Sequence, residues 1–168
     1  MRVFAVVRGR WCHKLSDNPN PMNTTIATLL EQKSGAIFTI PTTVTVSEAV
    51  QEMNAHKVGS VLVMDGLRLA GIFTERDVLR RVVGADIDPR FTPITKVMTS
   101  DVLTIPPSTT VQQVMDLFTE KRCRHLPVME DGRLMGVISI GDVSRWVANL
   151  HRLEAESLRQ YIAGGLTT

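Results

Sequence analysis

Gly71-Ile72-Phe73-Thr74-Glu75-Arg76-Asp77 and Gly136-Val137-Ile138-Ser139-Ile140-Gly141-Asp142 stand 65 residues apart and share one plan. Each is a short apolar run opened by glycine, and each closes on a T/S-x-x-D tetrad, the spacing at which a side chain caps a helix. A strand is therefore expected to hand directly to a helix near Glu75 and near Ile140. The same offset continues upstream and downstream without a gap. Thr39-Ile40-Pro41 falls on Thr104-Ile105-Pro106, Thr45-Val46 on Thr110-Val111, Val63-Met64 on Val128-Met129, Arg68-Leu69 on Arg133-Leu134, and Arg80 on Arg145. Chance does not give such a run, so the chain is read as a duplication.

Each copy has the order strand, helix, strand, strand, helix. Residues 37–40 and 102–105 form short β-branched openings. A helix follows, with Val46, Ala49, Val50 and Met53 on one face in the first copy and Val111, Val114, Met115 and Phe118 in the second. Both helices begin with S/T-x-x-E/Q boxes, Thr45 to Glu48 and Thr110 to Gln113. Strands are expected at 60–64 and 68–73, joined by Asp65-Gly66, and at 125–129 and 133–139, joined by Asp131-Gly132. A unit of roughly 45 residues buries too little apolar surface to stand alone, so the copies are expected to pack about a pseudo-two-fold axis. Residues 84–100, with Pro89 and Pro93, read as a linker. Val147, Leu150, Leu153, Leu158 and Tyr161 extend the last helix through 146–162, up to a stop at Gly164-Gly165.

Composition fits a compact domain and excludes several classes. The 168 residues are 43% hydrophobic and 21% charged with scattered glycines, which argues against disorder, collagen-like repeats and a disulfide scaffold. Net charge is +2, but Arg2, Arg8, Arg10 and Lys14 against Asp17 place +3 in the first 21 residues and leave −1 for the rest. Cys12 and Cys123 are far apart and form no C-x-x-C, which suits free thiols in a reducing compartment, and cytoplasm is expected. No apolar stretch approaches the roughly 20 residues of a membrane helix. His13, His56, His125 and His151 have no metal-ligand spacing, so no metal is expected. No phosphate-loop or dinucleotide glycine fingerprint occurs. Cys123 and His125 alternate on a strand but more simply fill a small apolar slot, and Glu75 complements a helix dipole, so no catalysis is expected.

With these motifs in place, the chain resembles the cystathionine-β-synthase (CBS) domain pair, or Bateman module, of the stand-alone bacterial type. Val97-Met98-Thr99 and Arg124-His125-Leu126-Pro127-Val128 also look like that family's second repeat, and the resemblance covers about residues 22 to 150. It implies an α+β fold of two β-α-β-β-α repeats plus a long C-terminal helix. The boundaries expected are 22–83 for the first repeat, 84–100 for the linker, 101–150 for the second repeat and 151–168 for the C-terminal helix and tail. Met22 resembles the usual start of such proteins. Residues 1–21 are therefore read as a basic, disordered or artefactual extension without functional content.

The tetrads carry the functional question. A carboxylate where a strand ends and a helix begins suits a ribose diol, and the outward N–H groups suit an anion. Capping alone accounts for the same spacing. The resemblance favours ligand binding, because in CBS pairs this Asp commonly holds the ribose of an adenine nucleotide. It implies AMP, ADP, ATP or NAD as ligand, bound in clefts that join the tetrad of one repeat to the opening and second strands of the other. One cleft then combines Thr74, Arg76 and Asp77 with Thr104, Cys123, Arg124 and His125. The other combines Ser139 and Asp142 with Thr39, Val58, Gly59 and Ser60. Arg76, Arg124 and His125 align with Gly141, Gly59 and Ser60, so cations are expected around the first cleft and small neutral groups around the second. A homodimer and an unidentified downstream protein partner follow from the family. A structural adaptor whose tetrads only cap helices is the alternative, and a nucleic-acid binder using the basic tail is a more distant one.

Overall fold

A computed structural model describes residues 21–33 and 36–164. The expectations for the basic extension over 1–20, for the side chains of Leu153, Leu158, Tyr161 and Ile162, and for Gly165 lie outside the described residues. The elements are α1 (Ile26–Gln32), β1 (Thr39–Pro41), α2 (Val46–His56), β2 (Ser60–Asp65), β3 (Arg68–Thr74), α3 (Glu75–Asp77), α4 (Val111–Glu120), β4 (His125–Glu130), β5 (Arg133–Ser139) and α5 (Ile140–Gly164). This is an α+β fold. The direct hand-over at Glu75 and Ile140 is as the sequence implies, and so is the duplicated order apart from the opening strand of the second copy.

The local chemistry of the two copies matches closely. Thr45 Oγ1 accepts from Glu48 N while Glu48 Oε2 accepts from Thr45 N. Thr110 and Gln113 repeat the exchange at the start of α4. Each box satisfies two backbone donors that a helix N-terminus otherwise leaves orphaned. Val46, Ala49 and Met53 of α2 are buried, and so are their counterparts Val111, Val114 and Phe118 of α4.

Strand pairing separates the copies. In the first, β1 runs parallel to β2, which runs antiparallel to β3. In the second, β4 and β5 form a two-stranded sheet, and the expected opening strand over 102–105 shrinks to one bridge, Ile105 to Val128. Two prolines explain the loss. The ladder beside β1 uses the N–H groups of Leu62, to Phe38 O, and of Thr42, to Met64 O. Pro127 and Pro107 stand at the corresponding positions and have no N–H to donate. Only the two bonds made by Ile105, with Pro127 O and Met129 N, remain.

The turns differ from expectation in one copy. Asp131 and Gly132 both take positive φ, as a two-residue hairpin loop favours. In the first copy the loop is Gly66-Leu67, not Asp65-Gly66, because Asp65 pairs with Arg68 and so belongs to β2.

The helices after the tetrads also diverge. α5 continues unbroken for 25 residues. After α3 the chain passes into a π-helical turn over Val78–Val82, then a 3-10 turn over Val83–Ala85, and stops at Asp86 in the left-handed region. The β-branched Val78, Val82 and Val83 followed by Gly84 make this the weaker helical sequence of the two.

Two compact units form, and they do not coincide with the repeats. Among the described residues, one holds 36–105 and 127–136, and the other holds 21–33, 106–126 and 137–164. The first has a core of Ile40, Val46, Ala49, Met53, Val61, Val63, Phe73, Val82, Ile94 and Val97. There the linker supports α2, with Val46 N donating to Thr92 O and Ile94 N to Val44 O. In the second unit α4 packs against α5, and Ile26, Leu29, Val111, Val114, Phe118, Leu126, Ile138 and Val143 are buried. There the segment ahead of the first repeat supports α4, with Val111 N donating to Thr24 O and Ile26 N to Thr109 O. α1, which periodicity does not reveal, thus serves the second repeat's helix.

Candidate functional site

Both tetrads are closed capping boxes. Thr74 N and Oγ1 donate to Asp77 Oδ2 at 3.0 and 2.7 Å, and Asp77 N returns a bond to Thr74 Oγ1 at 3.3 Å. Ser139 N and Oγ donate to Asp142 Oδ2 at 2.9 and 2.7 Å, and Asp142 N donates to Ser139 Oγ at 3.2 Å. The two readings of the tetrad are therefore compatible: one carboxylate oxygen caps, and the second is left to act elsewhere.

The two carboxylates have unlike surroundings. Asp77, the buried acid of the chain's described core, has Oδ1 3.4 Å from the Arg81 guanidinium. Asp142 Oδ2 takes a third donor, the Lys33 ammonium at 2.8 Å, and Lys33 also donates to Val137 O at 2.8 Å. Burial pulls the Asp142 carboxyl upward, but the hydrogen bonds from Lys33 and from the Ser139 side chain and backbone, with the Lys33 charge, outweigh it and hold it below the usual aspartate value. Neither Arg81 nor Lys33 stands out in the sequence. Arg81 lies four residues after Asp77, a spacing that could have flagged it, whereas Lys33 is 109 residues from Asp142 and no local signal links them.

The other expected site residues fall into both units. Thr39, Val58, Gly59, Ser60, Thr74, Arg76, Asp77 and Thr104 belong to the first, and Cys123, Arg124, His125, Ser139 and Asp142 to the second. Within the first, Ser60 pairs in register with Thr74, and Gly59 O accepts from Glu75 N at 3.1 Å. A methyl group on Gly59 would lie 3.3 Å from Glu75 Oε2, so that backbone is covered by a carboxylate rather than left bare. Val58 packs on the core, while Thr39, Thr104 and Arg76 are exposed. In the second unit, Ile140 N donates to the carbonyl of the exposed Arg124, the counterpart of the Glu75 to Gly59 bond. Cys123 Sγ lies 3.9 Å from Leu117 O, half-buried at the end of α4 as a small apolar filler would be, and His125 opens β4 half-buried. The contrast expected between a cationic and a neutral site is thereby softened, since Lys33 brings a cation to the second tetrad.

Among the described residues no group of three His, Cys, Asp or Glu side chains converges as a metal site. No helix among them is long and apolar enough to cross a membrane.

The CBS domain model matches twice, over residues 34–84 and 94–149. The chain belongs to the CBS-domain family. It is similar to the CBS domain-containing protein CBSX3, mitochondrial, of Arabidopsis thaliana, at 38% identity over 152 residues, covering 85% of this chain and 74% of that protein. A solved protein with CBS domains from Burkholderia ambifaria is 41% identical with a TM-score of 0.71, covering 74% of this chain and 93% of that one. A CBS domain protein from Pyrobaculum aerophilum, solved in complex with AMP, shares the fold at 24% identity and a TM-score of 0.63, covering 71% of this chain and 89% of that one. The duplicated motif is thus a CBS domain pair, a regulatory module.

Proposed function

We propose that this CBS pair senses an adenine nucleotide and passes occupancy to a partner protein by a change in packing. The observation that carries the reading is the state of the two tetrad carboxylates. Each is held through Oδ2 by its own Thr or Ser, which leaves Oδ1 as the acceptor for a ribose hydroxyl, in Asp77 with the Arg81 guanidinium 3.4 Å from it. A preorganised charged acceptor loses little on binding, and a charge-assisted hydrogen bond contributes about 1.5–3 kcal/mol. The proposal keeps the family's assignment of Thr74, Arg76, Asp77, Thr104, Cys123, Arg124 and His125 to one ligand and of Ser139, Asp142, Thr39, Val58, Gly59 and Ser60 to another. Ligands of the AMP, ADP, ATP or NAD class fit it, and the AMP complex of the Pyrobaculum protein makes AMP the first to test.

No catalytic step and no metal belong to this proposal. A homodimer does, supported by exposed Leu79 and Val83 beside an apolar groove of about 360 Å³ in the first unit, lined by Val46, Val50, Val78, Val82 and Ile87. A cytoplasmic setting is supported by the cysteine pattern, and the Arabidopsis relative is named as mitochondrial.

Titration calorimetry of the whole chain with AMP, ADP, ATP, NAD and S-adenosylmethionine tests the reading, with Asp77→Asn and Asp142→Asn alongside. Each substitution is expected to remove one binding event while circular dichroism stays unchanged. A saturating ligand at 100 Kd should also stabilise the fold by roughly 2.7 kcal/mol. Absence of binding, or full affinity in both variants, would leave the adaptor role, in which the tetrads are caps alone.

A further inference from the structure

The second tetrad contains a residue that neither the repeat nor the motif supplies. Lys33 directly follows α1, and α1 is tied to the segment before α4 by Ile26 N to Thr109 O at 2.8 Å and Ala27 N to Pro107 O at 2.9 Å. The ammonium is thus delivered from a fixed support. It is clamped between Val137 O on β5 and Asp142 Oδ2 in the first turn of α5, both at 2.8 Å. A lysine has three N–H donors, so one remains after these two bonds. Asp142 Oδ2 takes three donors, while Oδ1 accepts no hydrogen bond among the described residues. The two side chains keep 30% and 17% of their exposure, enough to touch a ligand yet dry enough for the contacts to count.

We propose that Lys33 completes the second tetrad as a diol-binding site: its ammonium pins Asp142 through Oδ2, turns Oδ1 outward as the sole acceptor, and offers a donor beside it. A vicinal diol fits this donor and acceptor pair, one hydroxyl giving its proton to Oδ1 and a hydroxyl oxygen accepting from the ammonium. The first tetrad has no such pair. Its cation, Arg81, lies against Asp77 Oδ1 itself at 3.4 Å, through the same Nη1 that donates to Val97 O and Met98 O, so it sits on the oxygen that would accept the hydroxyl rather than beside it. Diol recognition therefore differs between the sites, and only the second depends on Lys33. The inference rests on the nucleotide reading above and adds to it a residue, Lys33, that it lacks.

The test is site-resolved calorimetry with AMP and 2′-deoxy-AMP on the full chain, using Asp77→Asn to silence the first site. Lys33→Met removes the charge at similar length, and is expected to weaken AMP roughly tenfold or more and to erase the preference for AMP over its deoxy analogue. Lys33→Arg is expected to restore both, and Lys33→Gln, a shorter neutral amide with two N–H donors and no charge, to fall between. In the Asp77-containing protein the first site should keep its affinity in every Lys33 variant. If Asp142→Asn loses AMP but Lys33→Met binds it like the parent and still discriminates the deoxy analogue, the role of Lys33 is overturned and the nucleotide reading stands. If Asp142→Asn also binds AMP unchanged, or the parent binds none, both are overturned. Should Lys33→Met fail to fold, Lys33→Gln and Lys33→Arg carry the same comparison.

Discussion

Arg81 stands 3.4 Å from Asp77 through its guanidinium, and the same group donates to the carbonyls of Val97 and Met98 at 2.9 and 2.7 Å. One side chain thus joins the first tetrad to the stretch Val97-Met98-Thr99, which pairs with β3 through Thr99 and Ile72. Arg81→Ala is expected to destabilise the protein by about 1 kcal/mol. The figure is small because the side chain is 44% exposed and water screens the ion pair, so the two carbonyl bonds carry most of it. Urea denaturation of the variant against the parent measures it.

Gly71 marks a close approach of chain to chain. A methyl group there would meet Met98 Sδ at 2.6 Å and Thr99 O at 2.9 Å. The sulfur can move but the carbonyl belongs to the bridge with Ile72, so Gly71→Ala should cost about 1–3 kcal/mol. Gly141→Ala is the matched contrast, because its added methyl would find only Ser139 Oγ, at 3.7 Å, and alanine suits a helix better. It should be neutral or stabilise by up to about 1 kcal/mol. Melting curves of the two variants should move in opposite directions or by clearly unequal amounts.

Acid should weaken the protein partly through Asp142. Because its carboxyl is held below the unfolded value of 3.8, the unfolded chain takes up that proton first as pH falls. The contribution is therefore complete above the unfolded value and disappears as pH drops through the folded one. Stability measured from about pH 7 down to about pH 3 should converge for the parent and Asp142→Asn at the acid end. A gap between them that stays constant over that range would show that the Lys33 and Ser139 contacts do not favour the ionised form.

The groove beside Leu79 and Val83 bears on assembly. These side chains are 66% and 68% exposed, unusual for large apolar residues next to further apolar lining. Leu79→Asp should convert a dimer to a monomer in light scattering after size exclusion, with nucleotide affinity per chain retained. A dimer that survives Leu79→Asp and Val83→Asp together would place the interface on another face.

Much of this molecule follows from local chemistry that a sequence displays. The caps at Thr45, Thr110, Thr74 and Ser139 need only residues three apart, so spacing alone announced them, and with them the start of every helix in the duplicated pattern. The core positions of α2 and α4 follow from helical periodicity for the same reason, except that Met115, which shares the spacing, is 38% exposed, so the buried stripe of α4 is narrower than the pattern implies. The hairpin Asp131-Gly132 is legible because both residues tolerate positive φ, whereas Gly66-Leu67 is not, since the length of β2 is set by the pairing of Asp65 with Arg68. The shortened parallel ladder at Ile105 lies in between. Pro107 and Pro127 are plain in the sequence, but their effect appears only once their partners across the ladder are known.

By itself, then, the sequence determined the duplication, the α+β fold class and the two carboxylate tetrads, because each depends on periodicity or on contacts within one turn. Tertiary structure decided which cation meets which carboxylate. Lys33 reaches Asp142 across 109 residues of chain, and α1 braces α4 rather than its sequence neighbour α2. Such pairings depend on where the chain returns in space, and a charge 109 residues away leaves no local pattern by which to find it.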